Sequence, residues 1–455
     1  MQTHFAPERL EDPKLKSLEK ILRSCVHCGF CTATCPTYVV GGDERDSPRG
    51  RIYLIKDLLE TGRAPEAEDV APIDHCLSCY SCMTTCPSGV DYRRLVDHAR
   101  ELIEDKYERG RADRALREML AFIMPSTARF RAAVFLAMLG RPFRGPLSRL
   151  PGVGKQIAAM LDLAPRRLKP NEAKREEYLS SPRTRGSRAA ARDVPLDPRL
   201  RGDDKGQVPR RVALLTGCAQ EALAPEINQA TIRLLNRLGV DVVLPRGEGC
   251  CGSLLHHLGK EHAAVLQMRA NVDAWMREIE GQGLEAIVVT ASGCGATIKD
   301  YGALLADDAD YAEKARRVSA LAKDPSEYFL DFDIRFDNPQ KLVVAYHAAC
   351  TLQHGQKITD APKKLLKRAG FEVRSPAESH LCCGSAGVYN ILQPETAGAL
   401  KARKLKNIAR VKPDVIAAGN IGCLTQLGSG AEVPVVHLVE LLDWASGGPK
   451  PEAMG

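Results

Sequence analysis

The sequence has few aromatic residues and no long apolar run. Aromatic residues make up 5% of the 455 positions, and the long charge-free stretch at residues 415–431 is interrupted by glycines and polar side chains. No segment reaches the ~20 apolar residues that are needed to cross a bilayer. The first residues show no basic stretch followed by an apolar one, so we expect no secretory signal. These absences favour a chain of two to three domains that stays in the cytoplasm.

Motifs for nucleotide and haem binding are also missing. The run Gly152-Val153-Gly154-Lys155 lacks the earlier glycine of a phosphate loop and continues with Gln156 instead of Ser or Thr. No C-x-x-C pair is followed by histidine, which excludes covalently attached haem. The net charge is +7, but it is concentrated in residues 181–211, so nucleic-acid binding is not indicated.

Cysteine, by contrast, is abundant. The chain has 16 cysteines, one set of eight in residues 25–86 and another in residues 218–423. In a reducing compartment, so many thiols indicate metal ligands or redox centres rather than disulfides.

The first set repeats the spacing C-x-x-C-x-x-C-x-x-x-C-P, at residues 25–36 and again at residues 76–87. This is the spacing of bacterial two-cluster ferredoxins, in which three thiolates of one motif and the fourth of the other hold one cluster. We therefore predict two 4Fe–4S clusters, with the ligands Cys25, Cys28, Cys31 and Cys86 for cluster 1 and Cys76, Cys79, Cys82 and Cys35 for cluster 2. Zinc is the alternative, although zinc sites usually pair their cysteines two by two.

The second set forms an internal repeat. A Cys-Cys-Gly triplet lies 32 residues after a single cysteine in both copies and is followed by one more cysteine. The copies contain Cys218, Cys250, Cys251 and Cys294, and then Cys350, Cys382, Cys383 and Cys423. Four cysteines that match in order indicate two duplicated units.

Strand-like and helix-like segments alternate in each unit. We predict strands at residues 212–216, 242–244 and 286–290, and at 342–346, 371–374 and 415–418 in the second unit. Alternation of this kind predicts a parallel sheet with crossover helices, whose sites form beyond the carboxyl ends of the strands. Because the single cysteines directly follow predicted strands, we expect all eight to surround a further metal site, and their number leaves a further iron–sulfur cluster open.

Together these motifs resemble the iron–sulfur subunits of bacterial glycolate oxidases (glycolate dehydrogenases). The resemblance is carried by both ferredoxin motifs, by Ser47-Pro48-Arg49-Gly50-Arg51 between them, and by the two Cys-Cys-Gly triplets, which look like the cysteine-rich CCG domains of heterodisulfide reductase B-type subunits. It implies a multidomain α+β protein with an N-terminal helical two-cluster ferredoxin module followed by duplicated α/β CCG domains with parallel sheets. We place the module in residues 1–105, a helical connector in 106–164, a flexible basic linker or insertion in 165–211, and the CCG domains in 212–305 and 340–445.

The resemblance also implies a function. A partner flavoprotein that carries FAD would oxidise glycolate, and this chain would pass the electrons through its clusters towards quinone. Two other readings stay open: an iron–sulfur subunit for lactate or glycerol 3-phosphate oxidation, and a heterodisulfide reductase-like catalytic subunit. Against the latter, the fullest CCG pattern ends in C-x-x-C, whereas Thr297 and Gln426 stand at those positions here. A zinc-stabilised scaffold is the remaining alternative.

Several smaller features leave two interpretations each. Arg49 and Arg51 either lie near the clusters or are solvated residues of a helix capped by Asp46 or Ser47. The apolar residues 130–141 form a packed helix, which we favour, or a surface that contacts either a partner helix or, peripherally, the cytoplasmic face of the inner membrane. We expect structural roles for the histidines near cysteines, which are His27, His75, His347, His354 and His380.

Overall fold

Helices form the N-terminal part of the chain. The computed structural model describes residues 1–150, 152–165, 168, 210–338 and 340–455, and no described residue before Arg210 lies in a strand. In chain order the helices are α1 (Pro13–Ser24), α2 (Phe30–Thr34), α3 (Pro36–Gly41), α4 (Pro48–Thr61), α5 (Ala67–Asp74), α6 (Ser81–Thr85), α7 (Tyr92–Lys106), α8 (Arg111–Ile123), α9 (Thr127–Gly140), α10 (Arg144–Ser148) and α11 (Gly154–Leu163).

The two ferredoxin-type motifs fold in the same way. Each has a residue with positive φ, Gly29 (+81°) or Tyr80 (+59°), followed by the short helix α2 or α6. Each helix ends at an extended cysteine, Cys35 or Cys86, that precedes proline. A left-handed conformation is costly for a bulky side chain, but Tyr80 is 5% exposed and its ring stacks under Arg93 at 4.3 Å.

The C-terminal part contains two sheets of the same topology. The strands are β1 (Arg211–Leu214), β2 (Asp241–Val243), β3 (Ala286–Val288), β4 (Ala322–Lys323), β5 (Val343–Tyr346), β6 (Glu372–Arg374), β7 (Val415–Ala418) and β8 (Val435–His437). Their orders are β2-β1-β3-β4 and β6-β5-β7-β8, and all pairs are parallel. The predicted parallel sheets of the duplicated units are confirmed.

Helices connect and follow these strands. They are α12 (Cys218–Leu223), α13 (Glu226–Arg237), α14 (Ser253–His257), α15 (Glu261–Glu280), α16 (Ser292–Ile298), α17 (Tyr301–Leu304), α18 (Ala312–Leu321), α19 (Pro325–Leu330), α20 (Ala361–Arg368), α21 (Tyr389–Leu392), α22 (Pro394–Ala409), α23 (Ile421–Gly428) and α24 (Leu438–Ala445). A π-helical turn spans Thr351–Gly355.

One hydrophobic core joins the two units. It contains Val212 and Leu214 of β1, Val344 of β5, and Leu441 and Leu442 of α24. Charged groups reinforce the joint, because Asp443, whose side chain is 1% exposed, pairs with both Arg233 and Arg237 of α13. The two sheets therefore form one body and hold their cysteines in fixed relative positions.

The predicted connector is helical, but helix α9 differs from the favoured expectation of a packed helix. Val134 is its one buried residue, while Phe135, Leu136 and Leu139 are exposed. The basic segment 165–211 lies largely outside the described residues, and its last residue, Arg211, opens β1. Within the described ranges, every helix is too short or too polar to span a bilayer.

Candidate metal centres

The cysteines assigned to cluster 1 meet at one small cavity. Cys25, Cys28, Cys31 and Cys86 line a space of about 30 Å³ beside α2. Cys28 is exposed and Cys25 is buried. Three thiols of one motif and one of the other are the donor set that a 4Fe–4S cluster requires in this spacing.

Arg49 and His27 cover the same cavity. Gly29 has a φ of +81°, which favours glycine there, and a Cβ on it would lie 2.9 Å from Nη1 of Arg49, which the flexible arginine could relieve by moving. Arg49 also pairs with Glu44 at 2.7 Å. Burial lowers the pKa of His27, whose ring packs on Tyr53 with centroids 4.6 Å apart. The site of cluster 1 thus has the neutral ring of His27 on one side and the cation of Arg49 on the other.

The cysteines assigned to cluster 2 lie deeper. Cys35, Cys76, Cys79 and Cys82 are all buried, and Oη of Tyr92 donates to Sγ of Cys76 at 3.7 Å. Burial raises the pKa of the Cys79 and Cys82 thiols well above the ordinary value. A metal that replaces the proton would favour the thiolate form, which suits these donors to a buried cluster.

Arg51 belongs to this second site, and its interpretation as a solvated residue is wrong. It is 1% exposed. Its guanidinium donates to O of Pro72 at 2.6 Å, to Oγ1 of Thr37 at 3.0 Å and to Sγ of Cys35 at 3.8 Å. The helix is capped at Ser47, whose Oγ accepts from N of Gly50 at 3.0 Å. The cap aims Arg51 inward, where its positive charge would favour the reduced state of a cluster held by these cysteines.

The second CCG unit adjoins this buried site. Cys79, Cys350 and Cys382 belong to one hydrophobic cluster together with Leu77 and Tyr389. Nδ1 of the buried His354 forms a hydrogen bond of 2.7 Å with Oγ1 of Thr84 in the ferredoxin part. The ferredoxin part and the second unit are therefore in direct contact at their cysteines.

In the second unit all four cysteines are buried. Sγ of Cys350 and of Cys382 lie 3.7 Å apart, and those of Cys383 and Cys423 lie 3.6 Å apart. A ring nitrogen of His347 lies within 4.8 Å of the sulfurs of Cys383 and Cys423. Burial lowers the pKa of His347 to about 3, so the ring is neutral and suited to a metal. Sequence reasoning gave His347 a structural role and missed this placement.

The topology explains why the cysteines meet. In the order β2-β1-β3-β4 the chain switches direction between β1 and β3, and a crevice forms there at the carboxyl ends of the strands. Cys218 follows β1 and Cys294 follows β3, each in the first turn of a helix. Cys350 follows β5 and Cys423 follows β7 at the equivalent place. Helix N-termini at both crevices favour negatively charged sulfur.

The glycine of each Cys-Cys-Gly triplet has a structural reason. Gly252 and Gly384 have φ of +82° and +91°, and an added Cβ would lie 3.0 Å from O of Ala264 and 2.5 Å from O of Ala397. Any larger residue would push the triplet away from helix α15 or α22. The glycine thus brings both cysteines close to the crevice.

The first unit is more open than the second. Cys250 and Cys251 are buried, but Cys218 and Cys294 are partly exposed. All four line a cavity of about 530 Å³ that also touches Cys350. Hydrogen bonds from Cys218 and Cys251 lower the pKa of Cys250. The first unit thus has a partly exposed set of four cysteines and the second a buried set, with Cys350 of the second unit at the cavity that the first set lines.

Comparison with known proteins agrees with these divisions. Residues 21–90 match the 4Fe-4S dicluster domain, and residues 212–299 and 344–428 match the cysteine-rich CCG domain. The glycolate oxidase iron-sulfur subunit of Escherichia coli (strain K12) is 40% identical over 98% of this chain and 99% of its own length. A probable glycolate oxidase iron-sulfur subunit of Bacillus subtilis (strain 168) is 32% identical over 94% of each chain. Lactate utilization protein A of Bacillus licheniformis is 25% identical over 51% of this chain and 99% of its own.

A dicluster domain followed by two cysteine-rich domains defines an iron–sulfur protein. Within that class, the chain shares 40% identity with the Escherichia coli subunit over nearly the full length of both chains. The chain belongs to the family of glycolate oxidase iron-sulfur subunits.

Proposed function

We propose that this chain is the electron-transfer subunit of a glycolate oxidase complex. It receives electrons from an FAD-containing flavoprotein subunit, carries them through two 4Fe–4S clusters held by the cysteine sets above, and delivers them to a quinone. The series of cysteine sites from the surface at Cys28 to the buried second unit is the observation that carries the proposal. When bound, the clusters supply one-electron chemistry with little rearrangement of their ligands.

The surface around cluster 1 fits the flavoprotein partner. Val26, Phe30 and Tyr53 are exposed apolar side chains, and Val26 and Phe30 line the cavity of cluster 1. Apolar and aromatic side chains at the centre of a patch are typical of protein interfaces. A partner docked there would place its flavin next to the exposed Cys28.

Buried residues around cluster 2 and the second CCG unit support the later electron-transfer steps. Arg51 holds Cys35 in place and stabilises added negative charge at cluster 2. From Cys79 the next sulfurs are those of Cys350 and Cys382, in the same hydrophobic cluster. We propose that Cys350, Cys382, Cys383 and Cys423, with His347 beside them, hold an additional iron–sulfur centre.

The connector helices provide the proposed membrane contact. Phe135, Leu136, Leu139 and Phe143 are more than half exposed, and arginines at 129, 141 and 149 lie in the same segment. An apolar surface bordered by cations is typical of peripheral binding to an anionic membrane. We place this contact on the cytoplasmic face of the inner membrane.

The membrane contact is tested by the double variant Phe135→Asp/Leu136→Asp. We expect it to leave the membrane fraction while its iron content stays unchanged. Leu266→Asp replaces another half-exposed leucine on α15 and is the matched control. Equal fractionation of both variants would contradict the membrane contact.

The function itself is tested with the complex of this chain and its flavoprotein subunits under anaerobic conditions. Addition of glycolate should bleach the iron–sulfur absorbance and produce the EPR signals of reduced clusters. Parallel additions of lactate and glycerol 3-phosphate separate the two alternative substrates. Reduction by either of these but not by glycolate would contradict the proposed substrate, and no reduction by any of them would contradict the electron-transfer role.

A further inference from the structure

A large cavity near the candidate metal centres lies between the connector helices and the two CCG units. Its volume is about 530 Å³, within the range of small-molecule sites. Helices α8, α9 and α11 cover one side, and the Cys-Cys-Gly region of the first unit forms the other.

We propose that this cavity binds the ring of a membrane quinone and is the place where the quinone is reduced. The inference rests on the proposed function, which requires an electron acceptor, and adds its location. Three features of the walls support it, namely an apolar roof, cysteines of both CCG units, and a buried row of proton-carrying groups.

The roof is apolar and opens towards the exposed patch. Leu120, Val134 and Leu161 are buried side chains that line it. Met119 and Leu136 also line it but are 39% and 65% exposed. A flat apolar ring fits between such walls, and its isoprenoid tail can leave past Leu136 into the proposed membrane contact.

The floor carries the sulfurs. Cys218, Cys250, Cys251 and Cys294 of the first unit line the cavity, and so does Cys350 of the second. Because Cys350 is also in the hydrophobic cluster with Cys79, an electron carrier in the second unit would lie between cluster 2 and the cavity. Electrons can therefore reach the ring without crossing solvent.

The side wall carries the protons. Asp97 and His256 line the cavity, and Nε2 of His256 lies 3.1 Å from Oδ2 of Asp97. On its other side, Nδ1 of His256 lies 2.5 Å from Oε2 of Glu261, whose side chain is 29% exposed. A proton can thus pass from solvent through Glu261 to His256 at the cavity wall. Burial opposes a charge on Asp97, but His256 outweighs it and lowers the pKa of Asp97, so Asp97 stays ionised and orients the His256 ring.

The charges that surround this row are paired. Arg100 lies 3.9 Å from Asp97, and His257, 4.0 Å from Asp97, is neutral because burial lowers its pKa to about 3. Arg93 stacks on Tyr80 and pairs with Asp300 at 3.2 Å. Burial opposes a charge on His256, but Asp97 and Glu261 outweigh it and raise its pKa to about 10. His256 is therefore protonated at neutral pH and can donate a proton.

The reaction balances with these parts. Oxidation of one glycolate to glyoxylate on the flavoprotein releases two electrons and two protons. The quinone would take up two electrons from carriers held by the cysteines and two protons, one after the other, through Glu261 and His256. Both ring carbonyls become hydroxyl groups, and the quinol leaves by the apolar opening.

Binding is tested by photoaffinity labelling of the intact complex with an azido-ubiquinone of two isoprene units. Ala137→Trp places an indole inside the cavity, because Ala137 lines it, and Ala133→Phe is a milder second variant on the same wall. Ala132→Trp, at an exposed position of the same helix, is the matched control. Iron content and glycolate-dependent reduction of a soluble dye show that each variant is folded and still transfers electrons.

We expect the label on peptides of α9 or of residues 250–257. Quinone reduction should fall at least about tenfold in Ala137→Trp, which corresponds to a loss of about 1.4 kcal/mol in binding. It should be unchanged in Ala132→Trp. Labelling elsewhere, equal labelling of Ala137→Trp, or labelling of the isolated chain but not of the complex would overturn the inference. If wild type reduces dye but no quinone, the proposed acceptor itself is wrong. If wild type and Ala137→Trp reduce quinone equally well, only the proposed location of the quinone site is wrong.

The proton row is tested by Glu261→Gln and Asp97→Asn. We expect both to keep the photolabel and dye reduction while quinone reduction drops at least about tenfold, about 1.4 kcal/mol in the barrier. Glu261→Gln is the more conservative change, because its side chain is partly exposed. Unchanged quinone turnover in both variants would overturn the proton route, and loss of the label as well would show that these groups position the ring instead.

Discussion

The two CCG units share one topology but differ in what surrounds their cysteines. In the second unit all four cysteines are buried, whereas two of the four in the first unit are partly exposed and the set lines a large cavity. The ferredoxin motifs differ in the same way, because Cys28 is exposed while Cys76, Cys79 and Cys82 are buried. Each duplication has produced one accessible site and one enclosed site.

Equivalent positions show how the units diverged. Gly252 and Gly384 contact Ala264 and Ala397, and seven residues further along these helices stand Asn271 and Lys404. Nδ2 of Asn271 donates to O of Cys250 at 2.9 Å, and Nζ of Lys404 donates to O of Glu378 at 2.7 Å. The first unit thus has a neutral amide where the second has a buried cation.

Two further exchanges point the same way. His347, three residues before Cys350, corresponds to Leu215 before Cys218, and His256, five residues after Cys251, corresponds to Val388 after Cys383. The second unit therefore has an imidazole inside its cysteine group, and the first has one at the cavity wall. An enclosed site suits an electron carrier, and an open site beside a proton donor suits a reacting molecule.

The largest effect is expected where a buried cation is removed. Lys404→Met removes the charged donor to O of Glu378 and should lower the free energy of unfolding by about 3 kcal/mol, the upper end for a hydrogen bond to a charged group. Asn271→Leu at the equivalent position should lower it by about 1–3 kcal/mol. Anaerobic guanidinium titration of both variants measures the difference. An equal loss would mean that the charge of Lys404 has no special role.

Replacing the two arginines between the ferredoxin motifs should have unequal effects, because Arg51 is buried beside cluster 2 and Arg49 is partly exposed beside cluster 1. Arg51→Met removes the donor to Pro72 and Thr37 and should cost about 3 kcal/mol of stability, with a lower potential for cluster 2. Arg49→Met breaks a partly exposed pair and should cost about 0–1 kcal/mol. Redox titration by EPR and chemical unfolding measure both variants. Equal potentials in the two variants would argue against a tuning role for Arg51.

Stability should also depend on pH through His256. Its pKa in the folded state, about 10, exceeds the unfolded value of about 6.5. The ion pair therefore stabilises the fold fully below pH 6.5, and this stabilisation is lost as the pH rises towards 10, by about 1 kcal/mol per pH unit. His256→Gln should flatten that slope, as measured by thermal unfolding from pH 6 to pH 10. An unchanged slope would show that another group causes it.

Thiol accessibility is expected to show the smallest but most direct contrast. In metal-free protein, brief alkylation followed by mass spectrometry should modify Cys28 first and Cys218 and Cys294 next. Cys79 and Cys382 should react last, because both are buried and their pKa values are raised. Early modification of Cys382 would contradict the enclosed second unit.

Much of the architecture could be predicted from the sequence, because spacing carries it. The repeated Cys-Cys-Gly triplets and the alternating β-rich runs predicted two parallel sheets, and β7 matches its predicted range, Val415–Ala418. Strands β4 and β8 were missed because β4 has only two residues and β8 continues directly into helix α24. Both lie at sheet edges, where tertiary pairing alone defines them.

The candidate sites could be predicted only in part. Ligand spacing identifies the cysteines, but burial of Arg51 and the approach of His347 to Cys383 depend on contacts between segments far apart in the chain. The exposure of Phe135 and Leu136 was not expected either, since an apolar helix normally packs. The single cysteines of the two units lie at the switch points of two different sheets, which the spacing alone does not show.

The iron and acid-labile sulfide content of anaerobically prepared protein tests the central claim most directly, when wild type is compared with Cys383→Ser. About twelve of each per wild-type chain, falling to about eight in the variant, would show two ferredoxin-type clusters and an additional centre in the enclosed second unit. About eight in both proteins would contradict the account, because the enclosed group of cysteines would then hold no electron carrier.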